Sequence, residues 1–158
     1  MNNLVSIITP CFNSEKYIYQ AIQSVISQTC QNWELLLVDD CSSDETFSII
    51  SNFTSQDTRI KAFKLDKNSG AGVARNFAIQ QASGNYIAFL DADDLWKPEK
   101  LEKQLSFMET QNIPLTFSFY ETIDKAGNLR NESITTPSKV TYKQLYYCNW
   151  IGNLTGIY

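Results

Sequence analysis

Hydrophobic positions in this chain follow two rhythms that take turns. Short apolar runs alternate with longer stretches in which apolar residues recur every three or four positions. Val5-Ser6-Ile7-Ile8-Thr9 is the first run, ending at Pro10. Tyr17, Ile18, Ala21, Ile22, Val25 and Ile26 then form a stripe that predicts a helix over about 14–28. Leu35-Leu36-Leu37-Val38 reads as a buried strand and ends in Asp39 and Asp40. Ser42-Ser43-Asp44 supplies cap groups for a second helix carrying Phe47, Ile50 and Phe53. From Ile60 to Leu65 apolar and basic residues alternate, as on an edge strand. Asn68-Ser69-Gly70 signals a turn, a third helix is expected from Ala71 to Ala82, and Ser83-Gly84-Asn85 closes it. Tyr86-Ile87-Ala88-Phe89-Leu90 is apolar throughout, the signature of a strand covered on both faces. It stops abruptly at Asp91-Ala92-Asp93-Asp94.

Strands alternating with helices over the first 96 residues predict an α/β fold with a parallel sheet and right-handed crossovers. Three strand ends carry unusual residues: Thr9-Pro10 through Asn13, Asp39-Asp40, and Asp91 to Asp94. In a parallel sheet these share the carboxyl edge, where such folds bind ligands. Pro98 suits the first turn of a fourth helix marked by Leu101, Leu105 and Met108. Leu115 to Tyr120 reads as a strand, Lys125-Ala126-Gly127-Asn128 as a hairpin turn, and Tyr142 to Tyr147 as a short helix. Trp150 to Tyr158 stays apolar and patterned, which predicts that the chain stops inside a longer fold.

Composition narrows the chemistry. The 158 residues, 43% of them hydrophobic, are enough for one domain with a core. Net charge is −4 and no basic run exceeds a pair, so a nucleic-acid partner is not expected. No stretch of 18 apolar residues is present, so no membrane-spanning helix is expected. The first residues lack a basic region followed by an apolar one, which predicts a cytoplasmic chain with reduced thiols. Cys11, Cys30, Cys41 and Cys148 have no C-x-x-C spacing and there is no His, so zinc is not expected. Without His, neither a Ser-His-Asp triad nor a His base can form here, and acid–base work falls to carboxylates.

Asp91 and Asp93 are two apart at a strand end, so both can turn to one side. Two converging carboxylates repel unless a cation joins them, and a hard divalent metal carrying phosphate oxygens suits that role. The alternative is that the acidic run, Asp94 above all, caps the helix that follows.

Five segments carry a more specific signal. They are Thr9-Pro10-Cys11-Phe12-Asn13; Ser24 to Thr29; Trp33 to Asp44; Asn68-Ser69-Gly70-Ala71-Gly72-Val73-Ala74-Arg75-Asn76; and Gly84 to Asp94. In this order they resemble the GT-A fold, family 2 glycosyltransferases of bacterial polysaccharide assembly. Residues 97–158 match that family only loosely, so the chain divides into a nucleotide-sugar-binding half, 1–96, and a partial acceptor-side segment, 97–158.

The resemblance implies inverting transfer of a sugar from a nucleotide-diphosphate donor, usually UDP-linked, to a hydroxyl of a saccharide or lipid-linked saccharide. It places such enzymes in the cytoplasm, some at the inner face of the membrane. Thr9 and Pro10 would border the nucleobase, and Asp40 would accept from the uracil imide N–H. Asp39 would share that role or hold the loop; the alternative is that both only cap the next helix. Asn68 would meet ribose or base, or serve only the turn. Arg75 would neutralise phosphate or brace a strand-end carboxylate. Asp91-Ala92-Asp93 would be the D-x-D motif, with Asp91 toward ribose or sugar. Asp93, with Asp91 beside it, would hold Mn²⁺ or Mg²⁺, a Lewis acid for the departing diphosphate.

Inversion also needs a carboxylate base beside the acceptor hydroxyl. The family supplies it well after the D-x-D, yet Glu132 is the only acid after Asp124. The base is therefore expected outside this chain, with Glu121 and Asp124 as fallbacks. Trp33 is expected to pack, Trp96 to pack or to border the sugar pocket, and Trp150 to line an acceptor groove or to pack. Two competing classes remain. A dehydrogenase would need G-x-G-x-x-G after the first strand, and a nucleotidyltransferase a Gly-rich basic loop there; neither is present. A binding module that holds nucleotide without turnover stays open.

Overall fold

The computed structural model describes residues 3–124, 127–147 and 151–158, with side chains left out at 131–133, 142 and 146–147. The apolar runs fold as β1 (Val5–Cys11), β2 (Trp33–Asp39), β3 (Ile60–Lys64) and β4 (Tyr86–Phe89). They form one sheet in the order β3-β2-β1-β4, every neighbouring pair parallel. Four helices connect or follow them: α1 (Ile18–Ile26), α2 (Thr46–Gln56), α3 (Ala71–Gln81) and α4 (Lys100–Gln111). A short hairpin, β5 (Tyr120–Ile123) with β6 (Leu129–Ile134), precedes α5 (Tyr142–Tyr147). This is the α/β architecture expected, with helices on both faces of a parallel sheet.

Strand periodicity divides the core. Alternate residues point to opposite faces. Ile7, Leu35 and Leu37 pack with Ile18, Ile22 and Val25 of α1, Ile50 and Phe53 of α2, and Leu101, Leu105 and Met108 of α4. Ile8, Leu36 and Val38 face the other way, onto Ala74 and Ala78 of α3. Small residues let α3 lie close to the sheet. Each fully buried aliphatic side chain contributes about 1.5–3 kcal/mol. Both faces of β2 are covered, which is why all seven of its residues are buried.

Several expected boundaries move. β1 runs through Pro10 to Cys11, because the missing N–H of Pro10 does not stop its pairing opposite Val38. Residues 14–17 form a turn, with the Ser14 carbonyl accepting from Tyr17 and Ile18, so α1 starts later than its stripe implied. Pro98 is not in the first turn of α4, which begins at Lys100 after Glu99. Asp94 does not cap that helix; its backbone N–H closes a turn onto the Asp91 carbonyl. Of Leu115 to Tyr120, Thr116 makes an isolated bridge, with Ile157, and Tyr120 opens β5; the residues between them are not strand. β4 is less covered than its sequence implied: Ala88 is buried, but Tyr86, Ile87 and Phe89 are partly exposed. It lies at the end of the sheet order, where Ile157 bridges antiparallel to Ala88. The hairpin turn is present, with the Gly127 N–H donating to the Asp124 carbonyl, though Lys125 and Ala126 lie outside the described residues. Cys148 and Trp150 also lie outside them.

At the amino edge of the sheet a buried carboxylate is fully engaged. Glu34 Oε1 accepts from Ser6 Oγ (2.6 Å), Ser83 N (2.7 Å) and Ser83 Oγ (2.8 Å), and Oε2 from Lys61 Nζ (2.8 Å). Burial pushes this carboxyl up, and the bonds from Lys61, Ser6 and Ser83 more than reverse it, holding it at about 2. Gly84 passes directly over β1, donating its N–H to Ser6 Oγ (2.9 Å). A Cβ there would stand 2.6 Å from the Leu4 carbonyl oxygen, so the position requires glycine.

Candidate functional site

At the carboxyl edge, the loops after β1 and β2 are laced together. The Asn13 N–H donates to Ser42 Oγ (3.0 Å), and Asn13 Oδ1 accepts from the Ser43 N–H (2.9 Å). Ser14 N–H donates to Thr46 Oγ1 (2.8 Å), and Asp40 N–H to the Cys11 carbonyl (2.8 Å). Asn13 adopts φ 47°, one of the few left-handed residues outside glycine. The hydroxyls and carboxylate of the Ser42–Asp44 segment thus serve the loop after β1 as well as α2, where Asp44 Oδ1 accepts from Thr46 N–H (3.0 Å).

Asp39 and Asp40, both buried, do different things. Asp40 receives the Ser69 N–H on Oδ1 (2.8 Å) and the Gly70 N–H on Oδ2 (2.7 Å). It therefore caps the entry to α3, not α2. Gly70 takes φ 89°, a conformation other residues resist. Asp39 holds the loop through Oδ2, which accepts from Ser42 N–H (3.2 Å) and lies 3.8 Å from Lys64 Nζ. Its Oδ1 is buried with no hydrogen-bond partner. Thr9 Oγ1, Ser14 Oγ and Arg75 Nε at the same edge are buried and unpartnered too. Orphaned polar atoms are uncommon in folded chains, and gathered on one edge they point to a polar ligand. Pro10, Cys11, Phe12, Asp40 and Ala71 line a narrow cavity of about 50 Å³ there. Asn68 is exposed in the turn before α3.

Arg75 reaches from α3 to the acidic tip. Its Nη2 donates to Asp91 Oδ1 at 2.5 Å, an ion pair with a strand-end carboxylate. Asn153 Nδ2 donates to the same oxygen (3.2 Å). Asn153 carries no motif and lies far along the chain, so nothing local in the sequence pointed to it. Asp93 is exposed, and Asp94 half-buried. Burial, then the charges of Asp93 and Asp91, push the Asp94 carboxyl up to about 6. The charges of the two acids singled out in the sequence, Asp91 and Asp93, thus bear on the third, Asp94.

The tip suits a hard cation. Among the described residues no three His, Cys, Asp or Glu side chains form a ready-made metal cage. Asp91 is drawn to Arg75 and Asn153, leaving Asp93 and Asp94 as oxygen donors. A cation such as Mg²⁺ needs only one or two carboxylates when substrate phosphates and water complete its shell.

Trp33 packs as foreseen, fully buried with the Arg59 guanidinium 3.8 Å over its ring. Trp96 is buried and donates Nε1–H to the Leu154 carbonyl (3.1 Å). Of the fallback bases, Glu121 is paired with Lys97 (2.6 Å) and Asp124 accepts from the Asn128 N–H (2.9 Å). The side chain of Glu132 lies outside the described residues. No helix among the described residues is long and apolar enough to cross a membrane.

Comparison with known proteins adds an independent line. The pattern of the family described as "Glycosyl transferase family 2" matches residues 6–155. A Bacillus subtilis protein named as a teichuronic acid biosynthesis glycosyltransferase, TuaG, is 43% identical over 96% of this chain and 60% of its own length. An Escherichia coli UDP-Glc:alpha-D-GlcNAc-diphosphoundecaprenol beta-1,3-glucosyltransferase, WfgD, is 45% identical over 96% of this chain and 58% of its own length. Residues 1–349 of S. aureus TarS, crystallised with UDP-GlcNAc, superpose with a TM-score of 0.80 at 30% identity, over 98% of this chain and 44% of that one. The chain therefore spans less than two thirds of the length of the proteins it matches.

Proposed function

The chain belongs to glycosyl transferase family 2, and from that premise we propose that it binds a UDP-linked sugar at the carboxyl edge of its sheet. Its GT-A architecture is shared with TarS, which holds UDP-GlcNAc. The reaction proposed is inverting transfer to a hydroxyl of a saccharide acceptor, in assembly of a bacterial surface polysaccharide. Residues 1–96 hold the donor, and 97–158 form part of the acceptor side.

The observation that carries this reading is the Arg75–Asp91 pair set among unpartnered polar atoms on three adjacent strand ends. Pro10 and Asp40 border the base; the amides of Ser69 and Gly70 fix the carboxylate plane, and each oxygen keeps a lone pair for an imide N–H. Thr9 and Asp39 offer a hydroxyl and a free carboxylate oxygen to the nucleoside. Asn68 stands at the mouth, exposed and available to ribose or base. Arg75 pins Asp91, whose other oxygen is left for a ribose or sugar hydroxyl. Ala92, small and buried, keeps the turn tight between the two acids. Asp93, with Asp94 or Asp91 beside it, would hold Mn²⁺ or Mg²⁺. When bound, that cation supplies Lewis-acid stabilisation of the leaving diphosphate. The base that takes the acceptor proton lies outside this chain, since Glu121 and Asp124 are both engaged locally.

The name of WfgD gives a lipid-diphosphate acceptor, and a lipid-linked acceptor, with work at the cytoplasmic face of a membrane, is proposed here as well. Calorimetric titration of the chain with UDP and Mn²⁺ tests the donor site. Asp93→Ala should remove the metal-dependent binding and leave the melting temperature in place, because Asp93 is exposed. Unchanged affinity in that variant would defeat the assignment.

A further inference from the structure

Beside the acidic tip lies a second cavity of about 540 Å³, which Asp94 also lines. Its walls come from α4, the β5–β6 hairpin and Leu154–Thr155. Phe119 and Leu129 present apolar surface to it and are each 59% exposed, an unusual state for large apolar residues sharing one wall. Lys97, Lys100 and Lys103 line the same space.

These lysines are not equivalent. Lys97 is neutralised by Glu121 at 2.6 Å, and Lys103 is an exposed surface group. Lys100 is placed against its own electrostatics. It is the first residue of α4, where the helix dipole disfavours a cation. Its Nζ sits 4.4 Å over the Trp96 ring and donates to the neutral Gln104 Oε1 at 2.5 Å. Gln104 is itself fixed, donating Nε2–H to Thr116 Oγ1 (3.1 Å) and the Thr155 carbonyl (3.0 Å). Among the described residues no carboxylate pairs with Lys100. Burial pulls its ammonium down to about 7. A long, flexible side chain normally escapes such a position by reaching water. Here ring and amide hold a partly buried ammonium in a fixed place on the cavity wall with no ion-pair partner, which suits an anion that arrives with the ligand.

We propose that this cavity takes the phosphate-bearing end of a lipid diphosphate acceptor, with Lys100 gripping the phosphate and the Phe119–Leu129 wall receiving the first lipid units. The inference rests on the donor reading above, which puts the sugar at the acidic tip that Asp94 shares with this cavity. The acceptor hydroxyl then meets the donor at the Asp94 end, and phosphate and lipid follow toward the hairpin.

The test titrates the chain, with UDP and Mn²⁺ saturating, with farnesyl diphosphate, farnesol and inorganic diphosphate. Filling the donor site first keeps the probe's diphosphate out of it. Farnesyl diphosphate should bind best, and Lys100→Gln should weaken it about tenfold, the worth of one charged hydrogen bond. Lys100→Arg keeps the charge but not the compact fit over the Trp96 ring, so its affinity should fall between wild type and K100Q. Phe119→Ser, on an exposed side chain that folding does not need, should weaken it about fivefold. Equal affinity in wild type, K100Q and F119S overturns the proposal. So does farnesol or inorganic diphosphate binding as tightly as farnesyl diphosphate. UDP affinity is measured on every variant: loss of UDP binding by the wild type sinks the donor reading, whereas intact UDP binding with a K100Q unchanged for farnesyl diphosphate sinks only this one.

Discussion

Both edges of the central sheet bury carboxylates, and they treat them in opposite ways. At the amino edge, both oxygens of Glu34 are bonded, by Ser6, Lys61 and Ser83. At the carboxyl edge, Asp39 Oδ1 has no partner, and Asp94 is pushed up by burial and then by its acidic neighbours. At the amino edge the carboxylate is complete within the chain, although Trp33 Nε1 there has no partner. The other edge is left unsatisfied in the places where an external ligand would complete it. Buried charge by itself therefore does not mark a site; buried charge without its full set of partners does.

Perturbing each edge should separate the two. The largest effect is expected from Gly84→Ala at the amino edge. Its Cβ meets backbone atoms at 2.6 and 2.7 Å, which cannot give way as a side chain would. A loss of roughly 3 kcal/mol of stability follows, read by thermal or urea unfolding, with UDP affinity unchanged where the chain is folded. Next comes acid. The Glu34 carboxyl is held at about 2 against an ordinary 4.5. Its folded value is depressed, so its contribution is complete above about 4.5 and is lost as pH falls toward 2. Unfolding measured across that window should show a loss of roughly 2–3 kcal/mol, which Glu34→Gln removes from the pH profile. At the carboxyl edge Arg75→Gln should cost about tenfold in UDP affinity through loss of the charged contact to Asp91, with stability changed by less than about 1 kcal/mol. Smallest is Asp39→Asn. The amide oxygen can still accept from Ser42 N–H, and only the charge facing the half-exposed Lys64 is lost, so stability should fall by less than about 1 kcal/mol, while UDP binding weakens measurably. Asp39→Asn melting as far below wild type as Gly84→Ala would dissolve the contrast between the edges.

Much of this was legible in the residues. The apolar runs of β1, β2 and β4 pointed to the parallel sheet, because burial on both faces demands continuous hydrophobicity, and the acids ending β2 and β4 pointed to its candidate edge. Arg75 stood out as one cation on a helix of small residues, and its partner proved to be Asp91. What local pattern could not show was long-range. Asn153 reaches Asp91 across 62 positions, and Ile157 borders β4 from the last turn of the chain. The alternative weighed for Asp40, a cap on the next helix, misses its partners, which belong to α3, because parallel crossovers bring that helix back over the strand end. No local pattern marks Lys100; only its tertiary surroundings, the Trp96 ring and Gln104, distinguish it.

The tether between Asp40 and α3 has a mechanical consequence. The amides of Ser69 and Gly70 hang on one carboxylate, and the helix they begin carries Arg75. A tug on Asp40 is thus passed along a stiff rod to the guanidinium and onward to Asp91. The two ends of a bound nucleotide would rest on a single lever, so that seating one end trims the grip at the other.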